Sequence, residues 1–149
     1  MMKQEPTVKR INEKLIRVYT DILRMEEVEL KKSQFKDLSI KEMHTIDAIG
    51  IHTQPTSSDV AKRLRVTKGT LTVAINNLVR KGYVERSQLD TDKRVVNLQL
   101  TRKGRLMYRA HQAFHQRMVA SFVHGFDEPE VKLIEQALDN LMTFLDENL

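Results

Sequence analysis

Apolar residues return in steps of three and four along most of the chain, the period of a helix with one buried face. Val8, Ile11, Leu15, Val18, Ile22 and Met25 form one such stripe and predict a long first helix ending near Leu30. Residues 33–38 break the period. Ser39 followed by Glu42 is a capping-box pattern that opens a second helix to about Ile51, with Pro55 closing the connection. Thr56, Ser57, Ser58 and Asp59 read as the start of a third helix carrying Val60, Ala61 and Leu64. Arg65 and Val66 make a short turn, and Thr67 caps a fourth helix with Leu71, Ile75 and Leu78 facing inward. Arg80, Lys81 and Gly82 end it as cations followed by a glycine.

The period then drops to two. Residues 83–86 and 94–100 read as strands, the second with Val96, Leu98 and Leu100 alternating, and Asp90, Thr91, Asp92 and Lys93 form the polar turn between them. Thr101 caps a fifth helix carrying Leu106, Ala110, Phe114, Met118 and Phe122, interrupted at Gly125. Asp127 and Glu130 cap the last helix, Pro129 is tolerated in its first turn, and Val131, Ile134, Leu138, Leu141 and Leu145 form its stripe. The order is helix, helix, helix–turn–helix, hairpin, helix, helix. That is a mainly α fold with a small β hairpin, a winged helix–turn–helix, expected as one domain over residues 1–149. Residues 39–104 form its winged part. The small centre cannot cover both terminal stripes. Buried apolar area is worth roughly 25 cal/mol per Å², so residues 1–32 and 105–149 are expected to be dimerisation helices of a homodimer.

Composition narrows the class. Hydrophobic residues make up 40% and charged residues 30%, and cysteine is absent, which removes disulfides, thiol catalysis and cysteine-ligated zinc together. No apolar run approaches the ~20 residues of a membrane span, and the first residues lack a signal-peptide core, so a cytoplasmic protein without membrane contact is expected. The net charge of +5 is unevenly spread. Residues 56–104 hold 11 Lys/Arg against 4 Asp/Glu, while residues 127–149 hold 1 against 7. A basic middle points to a polyanion.

The fourth helix supplies the matching surface. Outside its inward face lie Thr67, Lys68, Gly69, Thr70, Thr72, Val73 and Asn76, mostly short or hydrogen-bonding. Small groups let a helix backbone approach the major groove, while Thr, Asn and Lys read base edges or phosphates. No arginine occupies its leading turns for bidentate guanine reading, so the expected partner is double-stranded DNA with an A·T-rich palindromic operator. Ser57 and Ser58 can present backbone N–H groups to phosphate, and Lys62 is a further phosphate contact. At the hairpin tip Arg94 can enter a narrow minor groove, steadied by Asp92 and flanked by Lys93.

This arrangement resembles the MarR family of dimeric winged helix–turn–helix regulators over nearly the whole chain. The residues that carry the resemblance are Leu64-Arg65-Val66-Thr67-Lys68-Gly69-Thr70-Leu71-Thr72, then Leu78-Val79-Arg80-Lys81-Gly82-Tyr83-Val84-Glu85-Arg86, then Asp92-Lys93-Arg94-Val95-Val96 and Leu100-Thr101-Arg102-Lys103-Gly104. Within the family, residues 35–47, 66–70 and 103–106, with His111, Phe114, His115 and Met118, resemble repressors of fatty-acid-synthesis genes. The resemblance implies a repressor of such genes with a long-chain acyl-acyl carrier protein as corepressor. On that reading Ile16, Tyr19, Leu23, Met43, His44, Ile46, Met107, Phe114, His115 and Met118 would line the effector site. Carrier proteins are acidic, and Arg105, Arg109 and Arg117, in a segment without acids, form the expected docking face. The alternative is a zinc-responsive repressor of metal-uptake genes using His44, His111 and His115, the last two being four residues apart on one helix; the first reading requires no metal or other cofactor.

An enzyme is not expected. The sequence has no phosphate loop, dinucleotide glycine pattern, His-Glu-x-x-His or nucleophile elbow. A nucleoid binder would differ from a repressor by weak sequence preference and a steep salt slope.

Overall fold

The computed structural model describes residues 5–87 and 95–149. Among the described residues six helices and two antiparallel strands follow the order α1 (Glu5–Lys32), α2 (Ile40–Ile49), α3 (Ser57–Leu64), α4 (Lys68–Lys81), β1 (Val84–Ser87), β2 (Asn97–Leu100), α5 (Arg102–Phe122) and α6 (Glu128–Asn148). The chain divides into two compact units, Met1–Arg109 and Ala110–Leu149. No helix among the described residues is long and apolar enough to cross a membrane.

In the first unit α2, α3 and α4 each start with the cap the sequence specifies. Ser39 Oγ accepts from the Glu42 N–H while Glu42 Oε1 accepts from the Ser39 N–H, and Thr56 and Asp59 repeat the exchange at α3. Thr67 Oγ1 accepts from the Thr70 N–H at α4. Helix α2 stops at Ile49, two residues short of the expected end, because Gly50 takes a positive φ of 73° while its N–H still bonds Ile46 O. The α3–α4 turn runs through Arg65 in the left-handed region, at φ 55°.

Strand β1 begins at Val84, one residue later than the sequence suggests. The N–H of Tyr83 is taken by Leu78 O at 2.9 Å and that of Gly82 by Val79 O, so Tyr83 still belongs to the helix end. The antiparallel register pairs Val84 with Leu100 and Ser87 with Asn97, and β2 starts at Asn97, with residues 95 and 96 of the expected strand outside it. The expected turn at residues 90–93 lies outside the described residues. The segment before α3 adds a partial third edge: Leu98 N–H bonds Pro55 O, Asn97 Nδ2 bonds Gln54 O, and Thr56 bridges Asn97.

The core collects the inward faces. Ile46 and Ile49 of α2, Val60 of α3, Leu71, Ile75 and Leu78 of α4, and Leu98 of β2 are almost completely buried. Helix α5 starts against the end of α4. Thr101 Oγ1 donates to Gly82 O and accepts from the Gly104 N–H, and the Thr101 N–H bonds Tyr83 O. A charged cluster closes this junction. Lys81 Nζ lies 2.9 Å from Glu42 Oε1 and donates to Asp37 O, while the Tyr83 hydroxyl donates to Asp37 Oδ1 and Lys103 Nζ sits over the Tyr83 ring. Burial pushes the Glu42 carboxyl up, but hydrogen bonds from Lys81 and Ser39 outweigh it and hold it below its ordinary value of 4.5.

In the second unit, Gly125 at φ 85° ends the α5–α6 connection, and α5 itself stops at Phe122. Asp127 and Glu130 form the expected capping box of α6, with Pro129 in its first turn. Helix α6 has no buried residue: Leu138 and Leu145 of its stripe are exposed and Val131, Ile134 and Leu141 half-buried, and Val8, Ile11, Leu15 and Val18 on α1 are exposed.

Two outcomes follow from the junction. A Cβ on Gly104 would overlap the Tyr83 carbonyl oxygen, so Gly104→Ala is expected to destabilise by about 1–3 kcal/mol, measured by denaturant melts. Glu42 stabilises the fold above its unfolded value of 4.5, and that contribution is lost as the pH falls through its lower folded value. The difference in melting temperature between the wild type and Glu42→Gln is therefore expected to be full at neutral pH and to narrow below pH 4.5.

Candidate nucleic-acid interface

Helix α4 presents one face to the core and the other to solvent. With Leu71, Ile75 and Leu78 buried, Lys68, Gly69, Thr70, Thr72, Val73 and Asn76 are all exposed, Val73 at 62%. Gly69 has open space where a Cβ would stand, so no packing demand explains a glycine inside this helix.

The hydroxyls along this face are differently committed. Thr67 spends its proton on Thr70 Oγ1 and its lone pair on the Thr70 N–H. Thr72 donates to Lys68 O, which turns its acceptor side and methyl outward. Thr70 accepts from Thr67, which leaves its own proton to offer to an acceptor. Asn76 Oδ1 accepts from Arg86 Nη2, and Asn77 Oδ1 accepts from Arg80 Nη2.

Helix α3 lies at the leading edge. Ser57 and Ser58 are half-buried in its first turn and Lys62 is exposed. Arg63 reaches back to Ala48 O at 2.8 Å and fastens α3 to the end of α2. Asp92, Lys93 and Arg94 of the wing lie outside the described residues. The base of the wing is held by Ser87 Oγ on Gln54 Oε1, and Gln99 bonds Glu85 across the strands.

The residues read as an effector wall are divided. In the first unit Ile16, Tyr19 and Leu23 of α1 are exposed at 45%, 58% and 50%, whereas Met43, Ile46 and Met107 belong to the buried core. His44 Nε2 lies 3.0 Å from Glu26 Oε2. Arg105 and Arg109 are exposed, Arg105 donating to Leu100 O. In the second unit His111 and His115 stack with ring centroids 4.4 Å apart, Phe114 meets His115 edge-on, Phe114 and Met118 are half-buried, and Arg117 is exposed.

Sequence reasoning missed Arg86, Arg63 and Gln54. Arg86 carried a usable signal: it falls on the strand face shared with Val84, where an apolar residue is the rule. The Arg63 and Gln54 contacts are with backbone carbonyls or a side chain far along the chain, and no spacing rule exposes them.

Comparison with known proteins agrees with this geometry. A MarR family model matches residues 36–95. The structure of Streptococcus pneumoniae FabT in complex with DNA superposes with a TM-score of 0.87 at 48% identity, covering 95% of this chain and 99% of that one. The regulator PchR of Bacillus subtilis is 27% identical over 107 residues, 70% of this chain, which spans 63% of that protein's length. The regulator AdcR of S. pneumoniae is 32% identical over 90 residues, 58% of this chain and 62% of its own. With its winged helix–turn–helix and its extended likeness to FabT, the chain belongs to the MarR family of DNA-binding transcriptional regulators, which are not enzymes.

Proposed function

We propose that this regulator is a homodimeric, cytoplasmic repressor of fatty-acid-synthesis genes that binds an A·T-rich palindromic operator and takes a long-chain acyl-acyl carrier protein as corepressor. The observation that carries the reading is the 48% identity, over almost its full length, to FabT bound to DNA. The uncovered stripes of α1 and α6 support the dimer, because a second copy removes that apolar surface from water. In each subunit the outward residues of α4 read the major groove, Ser57, Ser58 and Lys62 hold phosphates, and Arg94, with Asp92 and Lys93, supplies the wing contact.

For the effector, Ile16, Tyr19 and Leu23 offer an accessible apolar surface, and Met43, Ile46 and Met107 are reached only if the core opens. Arg105, Arg109 and Arg117 are the docking cations for the acidic carrier. A second reading, zinc response through His44, His111 and His115, draws on the parallel stack of His111 on His115.

Fluorescence anisotropy of an A·T-rich palindromic duplex decides between them. Long-chain acylated carrier is expected to tighten binding while unacylated carrier does not. Glu in place of Arg105 and Arg109 is expected to abolish that tightening with basal DNA binding retained; unchanged corepression would refute the docking face. A response to zinc, reversed by chelator and absent with acylated carrier, would favour the second reading.

Gly69 provides a separate test. Alanine in place of a helix glycine stabilises by up to about 1 kcal/mol, less in the first turn where Gly69 lies, so Gly69→Ala is expected to raise the melting temperature modestly. The added methyl stands on the face laid against DNA, so the same variant is expected to weaken operator binding at least tenfold in the anisotropy assay.

A further inference from the structure

Strand β1 does not alternate: Val84 is buried, but Glu85 and Arg86 are both exposed, and Arg86 stands at the position whose face Val84 gives to the core. Val84 pairs with Leu100 and Arg86 with Leu98, and Val84 and both partners are buried. Residues two apart on a strand share a face, so the Arg86 side chain leaves from the face that carries the core. It reaches past the end of that core to the recognition helix, where Nη2 donates to Asn76 Oδ1. Asn76 follows Thr72 by four residues and Val73 by three, which places it on the same exposed stripe of α4.

The chemistry of the pair fixes the amide. Arginine carries donors only, so the atom it meets must be the carbonyl oxygen, and the amide is turned with its NH₂ away from the guanidinium. We infer that Arg86 is a specificity-determining positioning residue, which holds the Asn76 amide so that the recognition helix presents N–H donors to the major groove. Donors read acceptors: guanine offers N7 and O6 side by side and thymine offers O4, whereas adenine N7 stands beside its own N6 amino group. An amide singles out adenine only when it donates to N7 and accepts from N6 at once; Arg86 takes one of the two lone pairs of the oxygen and turns that oxygen toward β1, so both halves cannot lie along one adenine edge. A donor alone can still meet adenine N7, but there it stands beside a second donor, so Asn76 favours guanine or thymine over adenine at its position. This rests on the DNA-reading role assigned to α4 above.

Selection from a random duplex library, with sequencing of the bound fraction, tests it on the full-length protein. The wild type is expected to enrich an inverted repeat. Arg86→Met, which keeps the apolar stem and removes the donors, is expected to raise adenine about tenfold at one position in each half-site. Asn76→Ala is expected to erase preference at that same position, and the double variant is expected to match Asn76→Ala alone. Asn76→Asp, an exposed substitution that keeps an acceptor for Arg86 and removes the outward donors, is expected to lose the preference too, and carries the test if Arg86→Met does not fold. Uniform weakening on all sequences by Arg86→Met would make Arg86 a phosphate clamp and overturn the inference. So would an unchanged motif in Arg86→Met or Asn76→Asp, or a double variant whose effects add. A wild type that enriches no motif would overturn the DNA-reading role itself, which distinguishes the two failures.

Discussion

The junction at Gly82 and Tyr83 is the constraint on which the DNA-facing surface depends. There the recognition helix ends, the hairpin begins and α5 is capped. Gly82 supplies the left-handed conformation at φ 87°, Tyr83 lends its N–H to the helix and its C=O to Thr101, and Gly104 leaves room for that carbonyl. A shift at any of these groups would move the recognition helix, the wing or α5 relative to the other two. The part-buried Lys81–Glu42 pair adds a fourth element by fastening the end of α4 to the start of α2. Such a pair is expensive to desolvate, so replacing both partners by apolar groups can be neutral, although removing one partner is costly. Its geometry is specific, however: Glu42 Oε1 serves both Ser39 and Lys81, and Lys81 also serves Asp37 O. The ammonium further complements the negative end of the α4 dipole. What the cluster contributes is orientation, which a recognition helix needs and an apolar contact supplies poorly.

The sequence made the helical frame and the inward face of α4 legible because both rest on local signals. Ser39, Thr56, Thr67 and Asp127 announce helix starts, Gly82 announces an end, and Leu71, Ile75 and Leu78 show the period directly. Strand limits were less legible, because β1 starts only after Tyr83 has completed the helix end, a matter of which carbonyl captures one N–H. The site was legible where exposure follows from helix period, as at Gly69, Thr70 and Asn76. It was not legible where a long-range partner decides the chemistry. Asn76 reads as a generic amide in the sequence, and only the strand ten residues on shows which of its atoms is taken. Met43, Ile46 and Met107 illustrate the opposite ambiguity, since helical spacing of apolar residues describes a core and a cavity wall equally well.

The bareness of the recognition face and the uncovered helical stripes belong to one argument. Each good base contact is worth about 1–3 kcal/mol of discrimination, and on the proposed reading a face built of one lysine, glycine, threonine, valine and one asparagine makes few of them. A regulator must still outcompete roughly 10⁶–10⁹ non-specific sites in a genome. One subunit reading a handful of base edges falls short of that, and extra lysines would raise affinity for every sequence alike. Pairing two subunits doubles the reading without changing the surface, and fixes a half-site spacing of about 10 base pairs as a further criterion. The apolar stripes of α1 and α6, useless to an isolated chain, are what such pairing requires. Any effector that alters how the two copies sit then changes operator affinity without touching a base contact. The small residues of α4 and the exposed leucines and valines of the terminal helices thus answer the same demand, the one by allowing close approach and the other by allowing two approaches at once.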